Sequence, residues 1–237
     1  MDQIRERPRP KVEMTYKMNR YQWLEHRRKG IGGSDVSAIL GFNTWRSPFE
    51  VWADKTGRLP IDDSGNEFTH WGNIMEPILA QEFQRQTGKK VHRQNKTFVD
   101  PEYDFLRADI DRDVVGEPGF LEIKTAMEFK SSEWTDDEIP PAYLLQVQHY
   151  MMVLDRPYCY FATLIGGHHF ITKRGTQHLV HALGHALQRA AHVDHRTALQ
   201  PLAQRIDGRT QAILHVTTLA IARERQVHPC KMAGGLQ

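Results

Sequence analysis

The stretch from Phe105 to Ala126 constrains the fold of this chain more than any other. It holds two runs of strand-forming residues, FLRADIDRDVV (105–115) and FLEIKTA (120–126), separated by GEPG (116–119). Two glycines and a proline between such runs are a turn signal, so a β-hairpin is predicted here. Side chains alternate across a strand. Glu122 and Lys124 therefore project from one face, while Leu121 and Ile123 point back into a core. On the first strand Asp109, Asp111 and Asp113 share a face, which would bring at least one carboxylate close to Glu122. Carboxylate oxygens so placed suit Mg²⁺ or Mn²⁺, hard cations that take carboxylate, carbonyl and water ligands. Lys124 would then orient a metal-bound water, or steady the charge that builds on an attacked phosphate.

The same residues admit two other readings. Asp-x-Asp-x-Asp also opens an EF-hand loop, which requires glycine at its sixth position and glutamate at its twelfth. Val114 and Phe120 stand there, so the EF-hand reading fails. The other is a polar hairpin with a solvated charged face, and an isolated Asp-x(10)-Glu-x-Lys is more often that than a site. The rest of the chain decides.

Three further segments occur in a fixed order around the hairpin. They are WLEHRRKGIGGSDVSAIL (23–40), WGNIMEPILAQEF (71–83) and AYLLQVQHYMMV (142–153). Together with the hairpin, over residues 20–170, they resemble the YqaJ and lambda-exonuclease family of phage-type alkaline exonucleases, within the PD-(D/E)xK nucleases. The resemblance implies that Trp23, Arg27 and Ser34 match a Trp-x(3)-Arg-x(6)-Ser spacing whose arginine and serine hold a 5′-phosphate. It implies that Glu76 is an additional metal-site carboxylate. It places Tyr143 and Gln146 at the active site, with Gln148 behind them. Among the aspartates it selects Asp111, which is followed by Arg112, and it adds the Ile123 carbonyl to the metal ligands Asp111, Glu122 and Glu76. Asp109 stands where some members have a phosphate-binding serine, a departure from the family pattern.

The fold implied is α/β, a restriction-endonuclease-like core with a central mixed sheet flanked by helices. Strands alternating with helices along the chain agree with that class. Helices are expected at 34–40, 47–56, 76–87 and 141–154, and strands near 89–99, 105–126, 157–166 and 168–173. Ser34 or Asp35 is the expected N-cap of the first of these helices, a place where free amides also favour a phosphate. Pro77 suggests that the third helix begins near Glu76. In the last helix Leu144, Leu145, Met151 and Met152 form a core stripe, and the residue pattern alone puts Gln146 and Tyr150 at the surface.

With no apolar run of membrane-spanning length and no apolar stretch in MDQIRERPRPKVEM, a cytoplasmic location is expected. Cys159 and Cys230 are too few and too far apart for a disulfide framework, a zinc knuckle or an iron–sulfur cluster. A net charge of +2 excludes a uniformly basic DNA coat. Charge is uneven, however: residues 1–30 contain nine Lys and Arg against four Asp and Glu, which suits a local phosphate-binding wall.

Three regions are expected: a polar, solvated arm over 1–18, a nuclease domain over 19–174, and a divergent helical or poorly packed segment over 175–237. From Ile171 onward there is no Phe, Trp or Tyr, so large anchoring side chains are missing and loose packing is expected after about residue 195. A helix is expected near 178–192. His178, His181 and His185 fall on one side of it without a carboxylate or cysteine partner, which favours an exposed face over a zinc site.

The expected function is metal-dependent hydrolysis of DNA, as a 5′-to-3′ double-strand exonuclease of phage or prophage recombination using Mg²⁺, with Mn²⁺ as substitute. The alternatives are an endonuclease of the same fold and a catalytically impaired DNA-end-binding module. The resemblance further implies duplex DNA ends as substrate, a homotrimeric ring and a single-strand annealing protein as partner.

Overall fold

The computed structural model describes residues 8–43, 45–134 and 138–176. The expected helix near 178–192, its histidine face and the segment after residue 195 lie outside the described residues. Strand β1 (Lys11–Met14) is followed by α1 (Arg20–Arg27), α2 (Gly33–Ile39), α3 (Pro48–Lys55) and α4 (Glu67–Thr87). Next come β2 (Val91–Arg93), β3 (Lys96–Val99), β4 (Arg107–Ala108), β5 (Arg112–Val114) and β6 (Phe120–Ala126). A 3₁₀ segment (Glu128–Trp134), α5 (Pro141–Leu154), β7 (Tyr158–Ile165) and β8 (His169–Thr176) complete the described part.

The main sheet has the order β2-β5-β6-β7-β8, with β6 and β7 parallel and the other pairs antiparallel. A parallel pair needs a long crossover, and the 3₁₀ segment with α5 supplies it. The sheet is therefore mixed and helix-flanked, as the sequence implies. The predicted alternation in β6 holds. Leu121 and Ile123 pack with Ala162 against Leu79, Ala80 and Phe83 of α4. Phe120 meets Tyr150 of α5 from the other face, at a ring separation of 6.2 Å. Burying large side chains such as Phe83 and Leu121 stabilises the layers by roughly 1.5–3 kcal/mol each. No helix among the described residues is long and apolar enough to cross a membrane.

Several expectations are corrected. The run 105–115 is not one strand, because β4 pairs with β3 in a small sheet and β5 with β6 in the main one. The chain changes sheets at Asp109–Asp111, which the period-two pattern cannot register. The strand expected over 89–99 splits in the same way, with β2 in the main sheet and β3 in the small one. Helix α4 starts ten residues upstream of Pro77. Asn66 caps it by accepting the Thr69 amide at 2.8 Å, and Gly88 ends it in the left-handed region at φ 72°. Pro77 removes only the amide that would bond the Asn73 carbonyl, a loss the capped and packed helix tolerates. Ser34 and Asp35 are not N-caps either; Gly32 occupies that position and donates its amide to Asp35 Oδ2 at 2.9 Å.

Within the expected arm, residues 11–14 pair with β3 in register Lys11↔Val99. Glu13 anchors this strand through Arg107 and His26, with Nη1 at 2.7 Å and Nε2 at 2.6 Å from its Oε2. The Arg107 hydrogen bond is the chief reason its carboxyl falls to about 2. A folded-state value below the ordinary 4.5 gives stability that is present above about pH 4.5 and lost as pH falls through about 2. Partial exposure of Glu13 screens the effect. Glu13→Gln should therefore melt below wild type at pH 7, with a gap that closes between pH 4.5 and 2. Thermal melts across that range check this, and a constant gap would mean the Glu13 charge contributes nothing.

Candidate active site

Strand β6 holds the centre of the site. Glu122 is buried because its face of the sheet is covered by α5 rather than by solvent. Its Oε1 accepts from Lys124 Nζ and from Gln146 Nε2, both at 2.6 Å. Gln146 Oε1 in turn accepts from Lys124 at 3.1 Å, so one amide holds both strand residues in place. Asp111 enters from the sheet-changing segment, and its Oδ2 accepts the Ile123 amide at 2.7 Å. The expected meeting of Asp111, Glu122, Lys124 and Gln146 is thus observed.

These groups line a cleft of about 720 Å³. Arg27, Ser34 and Trp23 line it as well, together with Glu76, Asn73 and Asp109. Helix α1 begins at Arg20 because Asn19 and Gln22 cap each other reciprocally at 2.9 and 3.0 Å. Trp23 and Arg27 then lie one turn apart, with the guanidinium 4.8 Å above the indole. Arg27 Nη2 donates to Ser34 Oγ at 3.1 Å. Gly33 brings this pair close to the carboxylates: a Cβ there would stand 2.6 Å from Gln146 Cγ and 2.8 Å from Tyr150 Cε1. The glycine serves close packing of α2 on α5 more than a turn.

Burial, and next the Glu122 charge, push the Asp111 carboxyl well above the usual carboxylate range. Burial also raises Glu122, against the opposing pull of Lys124. Burial disfavours the Lys124 ammonium, but Glu122 and Asp111 outweigh it and leave its pKa raised, so it stays charged. Burial and Glu122 raise Tyr150, which remains a neutral phenol.

Among the described residues no three His, Cys, Asp or Glu converge as a ready-made metal cage. The donors present still fit a hard divalent cation. Glu122 Oε2 is buried with no hydrogen-bond partner, a costly arrangement that a cation would relieve. Asp111 Oδ2 and Glu122 supply the carboxylate oxygens such ions prefer. Glu76 is engaged by Arg112, which also donates to the Asp111 carbonyl at 2.8 Å.

Other expected residues fall differently. Tyr143 lies beneath the Lys124 ammonium, 5.0 Å from ring centre to nitrogen, and stacks on Trp134. Gln148 does not line the cleft; its amide donates to the Thr176 carbonyl at 3.2 Å, tying α5 to β8. Asp109 accepts from Thr97 at 2.5 Å, and Asp113 pairs with Arg156, so the three aspartates do not share a face. Tyr150 is buried, not at the surface, because α5 is covered by the sheet on one side and by α2 on another.

Sequence reasoning missed Arg112, Asn73 and Asp35. Asn73 could have been found one turn before Glu76 on the same helix face. A buried arginine and a buried aspartate have no comparable signal.

The profile of the YqaJ-like viral recombinase domain matches residues 22–157, more than half of the chain, a span that includes the cleft residues from Trp23 to Tyr150. The chain belongs to the YqaJ-like viral recombinase family. A Bacillus subtilis (strain 168) protein of this family, described as uncharacterized protein YqaJ, is 50% identical over 158 residues. That match covers 66% of the chain and 50% of the relative, so the chain spans about half the relative's length. Among solved structures the fold is shared with LHK-Exo, an alkaline exonuclease from Laribacter hongkongensis, at a TM-score of 0.54 and 16% identity over 77% of this chain and 96% of that one. LHK-Exo in complex with dAMP aligns at 0.55 and 17% identity, over 86% and 95%. The mixed sheet with its flanking helices is thus the expected α/β, restriction-endonuclease-like fold, which the chain shares with LHK-Exo.

Proposed function

We propose that this protein is a divalent-metal-dependent deoxyribonuclease that digests duplex DNA from its ends in the 5′-to-3′ direction, in phage or prophage recombination. The observation that carries the reading is one cleft lined by two unlike groups of residues. Asp111, Glu122 and Lys124 form one, and the Arg27–Ser34 pair forms the other. Phosphodiester hydrolysis needs a group to stabilise the attacked phosphate, and a bound end needs an anchor one step away.

When bound, Mg²⁺ or Mn²⁺ would act as a Lewis acid on the phosphate and lower the pKa of the attacking water. Asp111 and Glu122 would hold it, with the Ile123 carbonyl, and Glu76 could join them only by giving up Arg112. Lys124, kept charged and held by Gln146, would stabilise the developing phosphate charge. Arg27 and Ser34 would take a terminal phosphate through charge-assisted hydrogen bonds. LHK-Exo, named as an alkaline exonuclease and solved with a nucleotide, supports the reaction class for this fold. A ring-shaped homotrimer, a single-strand annealing partner and a cytoplasmic location belong to the same proposal.

The full chain, incubated with Mg²⁺, should degrade linear duplex DNA with 5′-phosphate ends and leave covalently closed circles intact, and EDTA should stop it. Cleaved circles would indicate an endonuclease. End binding without any Mg²⁺-dependent product would indicate a binding module.

A further inference from the structure

Behind the Arg27–Ser34 pair lies a buried ion pair outside the motif residues. Asp35 is completely buried. Its Oδ2 accepts the Gly32 amide at 2.9 Å and meets Lys55 Nζ at 2.8 Å, while Oδ1 accepts from Arg46 at 2.8 Å. Lys55 Nζ also donates to the backbone carbonyl of Arg27 at 2.8 Å. Lys55 is the last residue of α3, Arg27 the last of α1, and Asp35 lies in the first turn of α2. One ammonium therefore fastens three helix ends at a single point.

Both halves of the anion pocket depend on that point. Arg27 is held through its own carbonyl, and Ser34 through the residue that follows it. A displacement of about 1 Å between reacting or binding groups can cost on the order of 100-fold. The Arg27 Nη2 to Ser34 Oγ contact of 3.1 Å has little tolerance for such a shift. As a pair, Asp35 and Lys55 are electrically neutral, so removing both charges alters the placement of the helix ends more than the field in the cleft. Arg46 keeps a second partner, Asp54, at 2.5 Å.

We propose that Asp35 and Lys55 are positioning residues that fix the spacing of Arg27 and Ser34 and so set selectivity for a phosphate monoester at a DNA end. This rests on the proposed phosphate role of Arg27 and Ser34. An ion pair serving stability alone can often be exchanged for uncharged residues of similar volume with little loss. Such an exchange would leave phosphate selectivity untouched.

The test is binding of two duplex oligonucleotides that differ only in a 5′-phosphate or 5′-hydroxyl, measured by fluorescence anisotropy with the full chain in EDTA so that no cleavage intervenes. Wild type should prefer the phosphorylated end by at least about tenfold. In the double variant Asp35→Asn with Lys55→Met, that preference should fall below about twofold, with affinity for the hydroxyl end and the melting transition retained. Asp35→Asn alone keeps the side-chain volume and an acceptor for the Gly32 amide, and should show the same loss if the double variant does not fold. A preference retained in a folded variant overturns the positioning role alone. No preference in wild type overturns the phosphate pocket itself, and the positioning role with it.

Discussion

In Asp111→Asn, Mg²⁺-dependent DNA cleavage is expected to fall at least about a thousandfold, roughly 4 kcal/mol at 1.36 kcal/mol per decade, while the metal-free protein becomes more stable. Asparagine keeps an oxygen that can accept the Ile123 amide, now 2.7 Å from Oδ2, but loses the anionic ligand. Burial and the Glu122 charge raise the Asp111 carboxyl well above its ordinary value. A raised carboxyl is one whose ionised form the fold disfavours, so its penalty is full above the folded-state pKa and is relieved as pH falls through that value. Removing the charge should raise the melting temperature in EDTA by about 2–4 °C per kcal/mol regained in a chain of this size. Wild-type stability in EDTA should also increase as pH falls through the folded-state value of Asp111, and the increase should be smaller in the variant, which keeps only the raised Glu122 carboxyl. Saturating Mg²⁺ should reverse the order, because an ion bound only by the folded state adds roughly 2.7 kcal/mol at a hundred times its dissociation constant. Melting curves with and without Mg²⁺, beside a linear-duplex assay, check all three. Wild-type turnover by the variant would remove Asp111 from the site.

The hairpin was legible because strand period is a local property. Leu121 and Ile123 face α4, and Glu122 and Lys124 face α5, as alternation requires. What alternation could not show is that the partner strand breaks. Asp109, Asp111 and Asp113 look equivalent in sequence, yet the change of sheet sends Asp109 to Thr97, Asp111 to β6 and Asp113 to Arg156. Helix α4 shows a different limit. Pro77 is a helix-start signal when read alone, but the Asn66 cap and the packing of Leu79, Ala80 and Phe83 extend the helix through it. Glu76 consequently sits within a helix and faces Arg112. The burial of Tyr150 and the need for glycine at position 33 have a common cause: each is explained by the contact between α2 and α5, and a contact between distant segments leaves no local pattern. The Asp35–Lys55 pair, whose members are twenty residues apart in sequence, is invisible in the same way.

Arg27→Ala is expected to slow digestion of 5′-phosphorylated ends by about 100-fold, within the roughly 1.5–3 kcal/mol of hydrogen bonds to charged groups, and to change digestion of 5′-hydroxyl ends by less than about threefold. The guanidinium is prepared for this role before substrate arrives. Trp23 supports it from one side at 4.8 Å, and its Nη2 already reaches Ser34 at 3.1 Å, so little freedom remains to be lost on binding. Burial disfavours its charge, but Asp35 and Asp109 outweigh that and raise its pKa, so the cation persists at any working pH. Arg27→Lys separates charge from geometry. An ammonium keeps the positive charge but cannot present two parallel N–H donors to a phosphate, so its phosphate preference should lie between those of wild type and Arg27→Ala. Single-turnover rates on the two kinds of end provide the comparison. The hydroxyl-end rate also reports on folding, since a collapsed site would lose both. Equal slowing on both ends would mean that Arg27 supports the cleft generally and does not read the terminal phosphate.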